Sequence, residues 1–141
     1  MALHFDHVNI TVVDIERATE FLRIAFPHFR VRGGGEGKLG DMTTAWRHLG
    51  TEEEYISLNQ TSATEKPDRD GSRQTGINHV GFVVYDLEKL HGGYKAAGFR
   101  CQWHVETPSR LRLYVTDQDN TIWEFIQYLS DDPAVQNDNS V

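Results

Sequence analysis

Apolar and polar residues alternate in two places along the chain, and in the same way. Val8, Ile10 and Val12 alternate with His7, Asn9 and Thr11, while Val80, Phe82 and Val84 alternate with His79, Gly81 and Val83. A period of two is that of a half-buried strand, whose successive side chains point to opposite faces. Each run therefore puts an apolar set on one face and a histidine on the other. The flanking residues repeat as well. Residues 5–17 and 77–89 align without a gap, so that His7 and Asp14 precede His79 and Asp86 by the same 72 residues. A repeat of this kind signals a duplicated structural unit.

Asp14 and Asp86 stand directly before the runs 15–25 and 87–97 and predict helix N-caps there. Gly98 predicts the stop of the second helix. Three strand-like runs follow each helix: 29–32, 43–49 and 55–60 in the first half, and 100–105, 110–116 and 122–129 in the second. The glycines at 33–35 and Gly50 read as breaks between the first set. Gly33-Gly34-Gly35-Glu36-Gly37 lacks the Lys-Ser/Thr of a phosphate loop and reads as a flexible hairpin tip. Each half is thus strand–helix–strand–strand–strand. The expected organisation is a single domain with modules at 1–60 and 77–129, a polar connector at 61–76, and an acidic tail at 130–141 that frays.

Composition narrows the function. A net charge of −7 argues against nucleic acid, which meets basic faces. No apolar run reaches the length of a membrane span, and the first residues lack a secretory pattern, so the expectation is a cytoplasmic protein without a membrane partner. The single cysteine, Cys101, excludes an intrachain disulfide and a cysteine-based zinc site, and reads as a small buried strand residue.

The candidate chemistry lies where the repeat begins and ends. Asp6-His7-Val8 and Asn78-His79-Val80 open the two halves, and Asp117-Gln118-Asp119-Asn120-Thr121-Ile122-Trp123-Glu124 lies near the end. These features resemble the vicinal oxygen chelate superfamily over about residues 3–129. That superfamily includes glyoxalase I, extradiol dioxygenases, epimerases, fosfomycin-resistance enzymes and bleomycin-resistance binding proteins. The terminal segment is similar to the family's Asp-Pro-Asp-Gly-Asn-x-x-Glu, with Gln118, Asn120 and Thr121 replacing its Pro, Gly and Asn. The resemblance implies an α+β fold: two tandem βαβββ modules whose eight strands form an open, cup-shaped sheet. Metal ligands project into the cup from the first and fourth strands of each half.

By that resemblance the ligands are His7, His79 and Glu124. Aligning 56–58 with 123–125 puts Ser57 at the fourth position, where a serine is a poor ligand and marks room for substrate or water. Two imidazoles and one carboxylate suit Fe(II) or Mn(II), with Zn(II) or Ni(II) as alternatives, and leave positions open for substrate. Tyr114, ten residues before Glu124, is similar to the active-site tyrosine of extradiol dioxygenases and fosfomycin-resistance enzymes. It is the candidate general acid. Arg110 and Arg112 share its strand phase, and Arg112 is the candidate clamp for a substrate carboxylate or phosphate. His104 lies off the register expected for a site histidine. His4, His28, His48 and His91 read as surface or loop residues.

The leading expectation is a metal-dependent enzyme, of the lyase, isomerase or dioxygenase type, that chelates a small oxygen-rich substrate. The alternative is a metal-free protein of the bleomycin-resistance type that sequesters a small molecule. Sheet edges are usually paired or covered, and the expected assembly is a homodimer.

Overall fold

In the computed structural model, which describes residues 4–62, 65–66, 75–107 and 109–138, both capping aspartates act as their positions predict. Asp14 Oδ1 accepts from the N–H groups of Glu16 and Arg17, each at 3.0 Å, and starts α1 (Ile15–Ala25). Asp86 Oδ1 accepts from Lys89 N–H at 2.9 Å and starts α2 (Leu87–Ala96). Gly98 follows the C-cap with φ 82°, the left-handed stop expected of it. No helix among the described residues is long and apolar enough to cross a membrane.

The helices belong to two modules of one topology. The first runs β1 (His7–Val12), α1, β2 (Arg30–Leu39), β3 (Met42–Gly50) and β4 (Tyr55–Gln60), with sheet order β1-β4-β3-β2. The second runs β5 (His79–Val83), α2, β6 (Arg100–Thr107), β7 (Arg110–Thr116) and β8 (Ile122–Tyr128), with order β5-β8-β7-β6. In each, the outer first strand is parallel to the fourth and the other pairs are antiparallel. The α+β class and the doubled βαβββ unit are as the repeat implied. The chain divides into units Met1–Glu65 and Lys66–Val141. Within the stretch read as a connector, residues 63–64 and 67–74 lie outside the described residues.

Each sheet turns its apolar phase toward its own helix. In the first unit Val12, Leu49, Ile56 and Leu58 are buried with Ile15, Ala18, Phe21 and Leu22 of α1. In the second, Leu113, Val115, Trp123 and Phe125 are buried with Leu87, Leu90 and Tyr94 of α2. Each such Val, Leu, Ile or Phe side chain contributes about 1.5–3 kcal/mol. In the first unit the polar atoms of Thr19 and Arg47 are satisfied locally. Thr19 Oγ1 donates to Ile15 O at 2.7 Å and accepts from Arg47 Nη1 at 2.9 Å. Arg47 also pairs with Glu16, and that hydrogen bond holds the Glu16 carboxyl below its usual range. On β6, Cys101 is half-buried and its burial pushes the thiol up, away from reactivity.

Three expectations fail, each for a tertiary reason. The glycine run is not a hairpin tip, because β2 continues through it, Gly33, Gly34 and Gly35 pairing with His48, Arg47 and Trp46. A Cβ at Gly35 would lie 3.0 Å from Trp46 Nε1, and one at Gly33 3.5 Å from the same ring, so glycine is what lets the indole lie against this strand. Gly50 is no break either; it ends β3, paired with Arg30 on one side and Tyr55 on the other. The tail is not wholly frayed, since α3 (Pro133–Gln136) forms there with Asp132 as its cap. Buried Arg110 donates to Gln136 O at 3.5 Å and Asp138 O at 3.3 Å, holding this segment to β7. Residues 139–141 lie outside the described residues.

Candidate functional site

Strand register gathers the second unit's candidates round one carboxylate. β8 lies between β5 and β7, with Glu124 opposite Gly81 on one side and Tyr114 on the other. Glu124 is buried. Its Oε2 lies 3.1 Å from His79 Nε2, and its Oε1 accepts from Tyr114 OH at 2.7 Å. Arg112 Nε stands 3.5 Å from Oε1, so this arginine leans on Glu124 as well as facing outward with Tyr114. A Cβ at Gly81 would lie 3.3 Å from Glu124 Oε2, and the glycine keeps that side of the carboxylate clear.

The two histidines are oriented by the residues before them. His7 Nδ1 lies 2.6 Å from Asp6 Oδ2, and His79 Nδ1 lies 2.8 Å from Asn78 Oδ1. A carboxylate or amide oxygen only accepts, so Nδ1 carries a proton and Nε2 is the nitrogen left to face a further proton or a cation. Partners of this kind at the far nitrogen are what fix a metal-ligating imidazole. The hydrogen bond from His7 also holds the Asp6 carboxyl below its usual range. In the second unit the consequence is sharp. A lone pair and a carboxylate oxygen 3.1 Å apart repel unless a proton or a cation lies between them. Bonds of about 2.0–2.2 Å to a divalent ion would put neighbouring nitrogen and oxygen ligands at about that separation. The donor set therefore fits a metal. Among the described residues no three His, Cys, Asp or Glu side chains cluster within either unit; His79 and Glu124 form a pair.

In the first unit Asn9 pairs with Ser57 as Gly81 pairs with Glu124, so Ser57 occupies the place equivalent to the acid. Buried Ser57 Oγ accepts from Asn9 Nδ2 at 3.0 Å, and Asn9 Oδ1 accepts from Asn59 Nδ2 at 2.8 Å. An amide–hydroxyl network thus replaces the carboxylate. His48, read from sequence as a surface or loop residue, is half-buried on β3 opposite Ser57, the place Tyr114 holds in the second unit. His104 also needs correction. It pairs with Arg112, and its ring meets Tyr114 edge-on at 5.5 Å. The register shift between His104 and Thr107 defeats counting along the chain.

Two supporting groups were missed. Gln60 Oε1 accepts from Ile15 N–H at 2.8 Å, and Gln127 Oε1 accepts from Leu87 N–H at 2.9 Å, tying each helix to the strand that bears Ser57 or Glu124. Their signal was present: each glutamine lies three residues after Ser57 or Glu124. Asp117 fixes the turn into β8. Its Oδ1 accepts from the N–H groups of Asp119 (2.8 Å) and Thr121 (2.9 Å), and its Oδ2 accepts from Trp123 Nε1 at 2.9 Å. Asn120, where the similar family segment has glycine, takes φ 63°, a conformation asparagine tolerates better than most residues.

Comparison with known proteins agrees with this architecture. A glyoxalase family protein from Bacillus cereus superimposes with a TM-score of 0.71 at 16% identity, covering 92% of this chain and 97% of its own. The fosfomycin resistance protein FosX from Listeria monocytogenes, solved with Mn(II) and sulfate, gives 0.63 at 18% identity, covering 90% and 93%. TnmS3, an antibiotic binding protein from a Streptomyces species, gives 0.63 at 16%, covering 91% and 98%. Among curated protein sequences none matches. The family model described as glyoxalase/bleomycin resistance protein/dioxygenase superfamily matches residues 6–114. The chain belongs to that superfamily.

Proposed function

We propose that the protein is a cytoplasmic metal-dependent enzyme of the glyoxalase/dioxygenase type, with His7, His79 and Glu124 holding one divalent ion, Fe(II) or Mn(II) in preference to Zn(II) or Ni(II). The observation that carries this reading is the His79–Glu124 pair, a ring nitrogen and a carboxylate oxygen held 3.1 Å apart by partners that orient both. The matching Asp6 contact on His7 supports its place in the set. When bound, the ion supplies Lewis acidity toward vicinal oxygens of a small substrate. Tyr114 holds its proton at the hydroxyl over Glu124 and is the group placed to pass it to a substrate oxygen. Arg112 offsets the negative charge gathered at Glu124 and offers a contact for an anionic substrate group. Ser57, bound to Asn9, leaves a neutral polar surface where an acid would take up a coordination position.

Elemental analysis of the purified protein tests this. Wild type is expected to carry about one ion per chain, and Glu124→Ala to carry little or none, because the substitution removes the only anionic ligand of the three. Equal metal content in the two proteins would sink the assignment. A second reading, a metal-free binding protein of the bleomycin-resistance type, is favoured by the neutral Ser57–Asn9–Asn59 network. It stands if wild type takes up no metal at all.

Assembly follows from the sheets. β1 and β2 are the outer strands of one sheet, β5 and β6 those of the other. Such strands are usually paired or covered, which supports a homodimer. Sedimentation at micromolar concentration is expected to give the dimer mass, and a purely monomeric species would refute it.

A further inference from the structure

We propose that the second unit binds a small molecule by its guanidinium group, in a groove between α2 and the helix-facing side of the sheet. Gln127 faces the helix there, bonded to Leu87 N–H, and Leu111 and Leu113 share that side. Glu124 and Tyr114 belong to the opposite strand phase. The groove is therefore distinct from the candidate metal site and does not depend on it.

The internal repeat shows what the groove lacks. In the first unit the Arg47 guanidinium joins Glu16 and Thr19 of α1. Its Nη1 donates to Glu16 Oε2 at 3.0 Å and to Thr19 Oγ1 at 2.9 Å, and its Nη2 donates to Glu16 Oε1. The offset of 72 residues makes Glu88 and His91 of α2 the counterparts of Glu16 and Thr19. Strand register supplies the rest. Arg47 pairs with Gly34 and Leu58, and Leu113 pairs with Trp103 and Phe125. Leu58 and Phe125 each follow the equivalent residues Ser57 and Glu124, so Leu113 stands where the arginine stood and Trp103 where Gly34 stood. The acid on the helix is kept, and its cation is gone. Among the described residues no lysine or arginine pairs with Glu88.

The second unit has a cavity of about 600 Å³ at this place, bordered by Tyr85, Asp86, Glu88, His91 and Trp103. That volume suits a small molecule. No lysine or arginine lines it among the described residues. Trp103 is 37% exposed and Tyr85 97%, and the His91 ring lies 5.5 Å from that of Trp103. A guanidinium is flat and weakly hydrated; it stacks on an indole face while its N–H fork meets a carboxylate. Trp103 and Glu88 offer those two contacts, and the charge of Asp86 adds to the attraction. The start of a helix repels cations in general. Yet α1 holds the Arg47 guanidinium at the equivalent place, because Glu16 outweighs that repulsion.

Titration with butylguanidinium, followed through the indole N–H signals by heteronuclear NMR, tests the proposal. The Trp103 signal, assigned by its loss in Trp103→Phe, is expected to shift saturably while those of Trp46 and Trp123 stay in place. Butylurea has the same planar head without the charge, and is expected to give no saturable shift. Glu88→Gln is expected to weaken butylguanidinium binding about two- to fivefold, the range of an exposed charge pair. Trp103→Ala, read from the Leu111 amide signal, is expected to weaken it about as much. Glu53→Gln removes a negative charge from the other unit and is expected to leave affinity unchanged. N-acetylarginine amide separates the sources of the group and is expected to bind no more tightly than butylguanidinium. Clearly tighter binding would give the groove to an arginine of a protein partner and overturn the small-molecule reading. The absence of a saturable Trp103 shift, equal affinity for butylurea, unchanged affinity in Glu88→Gln, or an equal loss in Glu53→Gln overturns the proposal.

Discussion

Alanine at Gly50 is expected to destabilise the first unit severely. The residue ends β3 between two strands, paired with Arg30 and with Tyr55. A Cβ there would lie 2.2 Å from Glu54 O, 2.5 Å from Tyr55 Cα and 2.6 Å from Tyr55 Cβ. The first two are backbone atoms, and Glu54 O is held by Thr51 N–H at 2.9 Å. No side-chain rotation relieves the clash, so the β3–β4 connection must open. Overpacking typically costs about 1–3 kcal/mol, and a clash with backbone that cannot move aside belongs at or beyond the top of that range. The loss should appear as a large fall in the urea midpoint. Gly92→Ala is the contrast, because a Cβ on that exposed position of α2 meets nothing within 4 Å. Relief of the glycine's helix cost should raise stability by up to about 1 kcal/mol. A fall of less than about 1 kcal/mol for Gly50→Ala would show that the connection is looser than its contacts imply.

Asp117→Ala is expected to be the next most damaging change, at about 2–4 kcal/mol, since it strands the buried Trp123 N–H and two turn amides at once. The dependence on pH runs opposite to that of an ion-paired acid. Burial raises the Asp117 carboxyl above its ordinary value of 3.8, against the hydrogen bonds from Trp123, Thr121 and Asp119, which lower it. The folded state therefore binds the proton more readily than the unfolded one. Stability from this group is fully present below the unfolded value and declines as pH rises through the folded value. The gap between wild type and Asp117→Ala should be wider at about pH 3 than at neutral pH. Denaturant titrations of both proteins at the two pH values check this, and a gap that widens toward neutrality would contradict it.

The elements legible in the sequence were those specified locally. Alternation at 8–12 and 80–84 marked strands, and Asp14 and Asp86 marked helix starts, because capping and period are properties of neighbouring residues. The equivalence of Ser57 and Glu124 was legible for the same reason, and the register repeats it. What was hidden depended on distant partners. Gly33–35 looked like a loop because the indole that needs those glycines arrives from β3. The helical turn at Pro133–Gln136 is held by Arg110, more than twenty residues earlier. His104 meets Tyr114 only through a hairpin whose irregular register cannot be counted from spacing. His48 carried no ligand-like spacing because its neighbours on the face, Trp46 and Tyr55, are set by strand pairing.

The glutamine ties have a consequence for how each half opens. First-turn amides of a helix usually face solvent or a local cap, and they are the first to exchange when the end frays. Ile15 and Leu87 instead donate to Gln60 and Gln127 on the strands that carry Ser57 and Glu124. Deuterium reaches these two protons only when a helix lifts from its strand. The chain therefore contains two clocks, one timing the release of the half built round a serine and the other that of the half built round an acid.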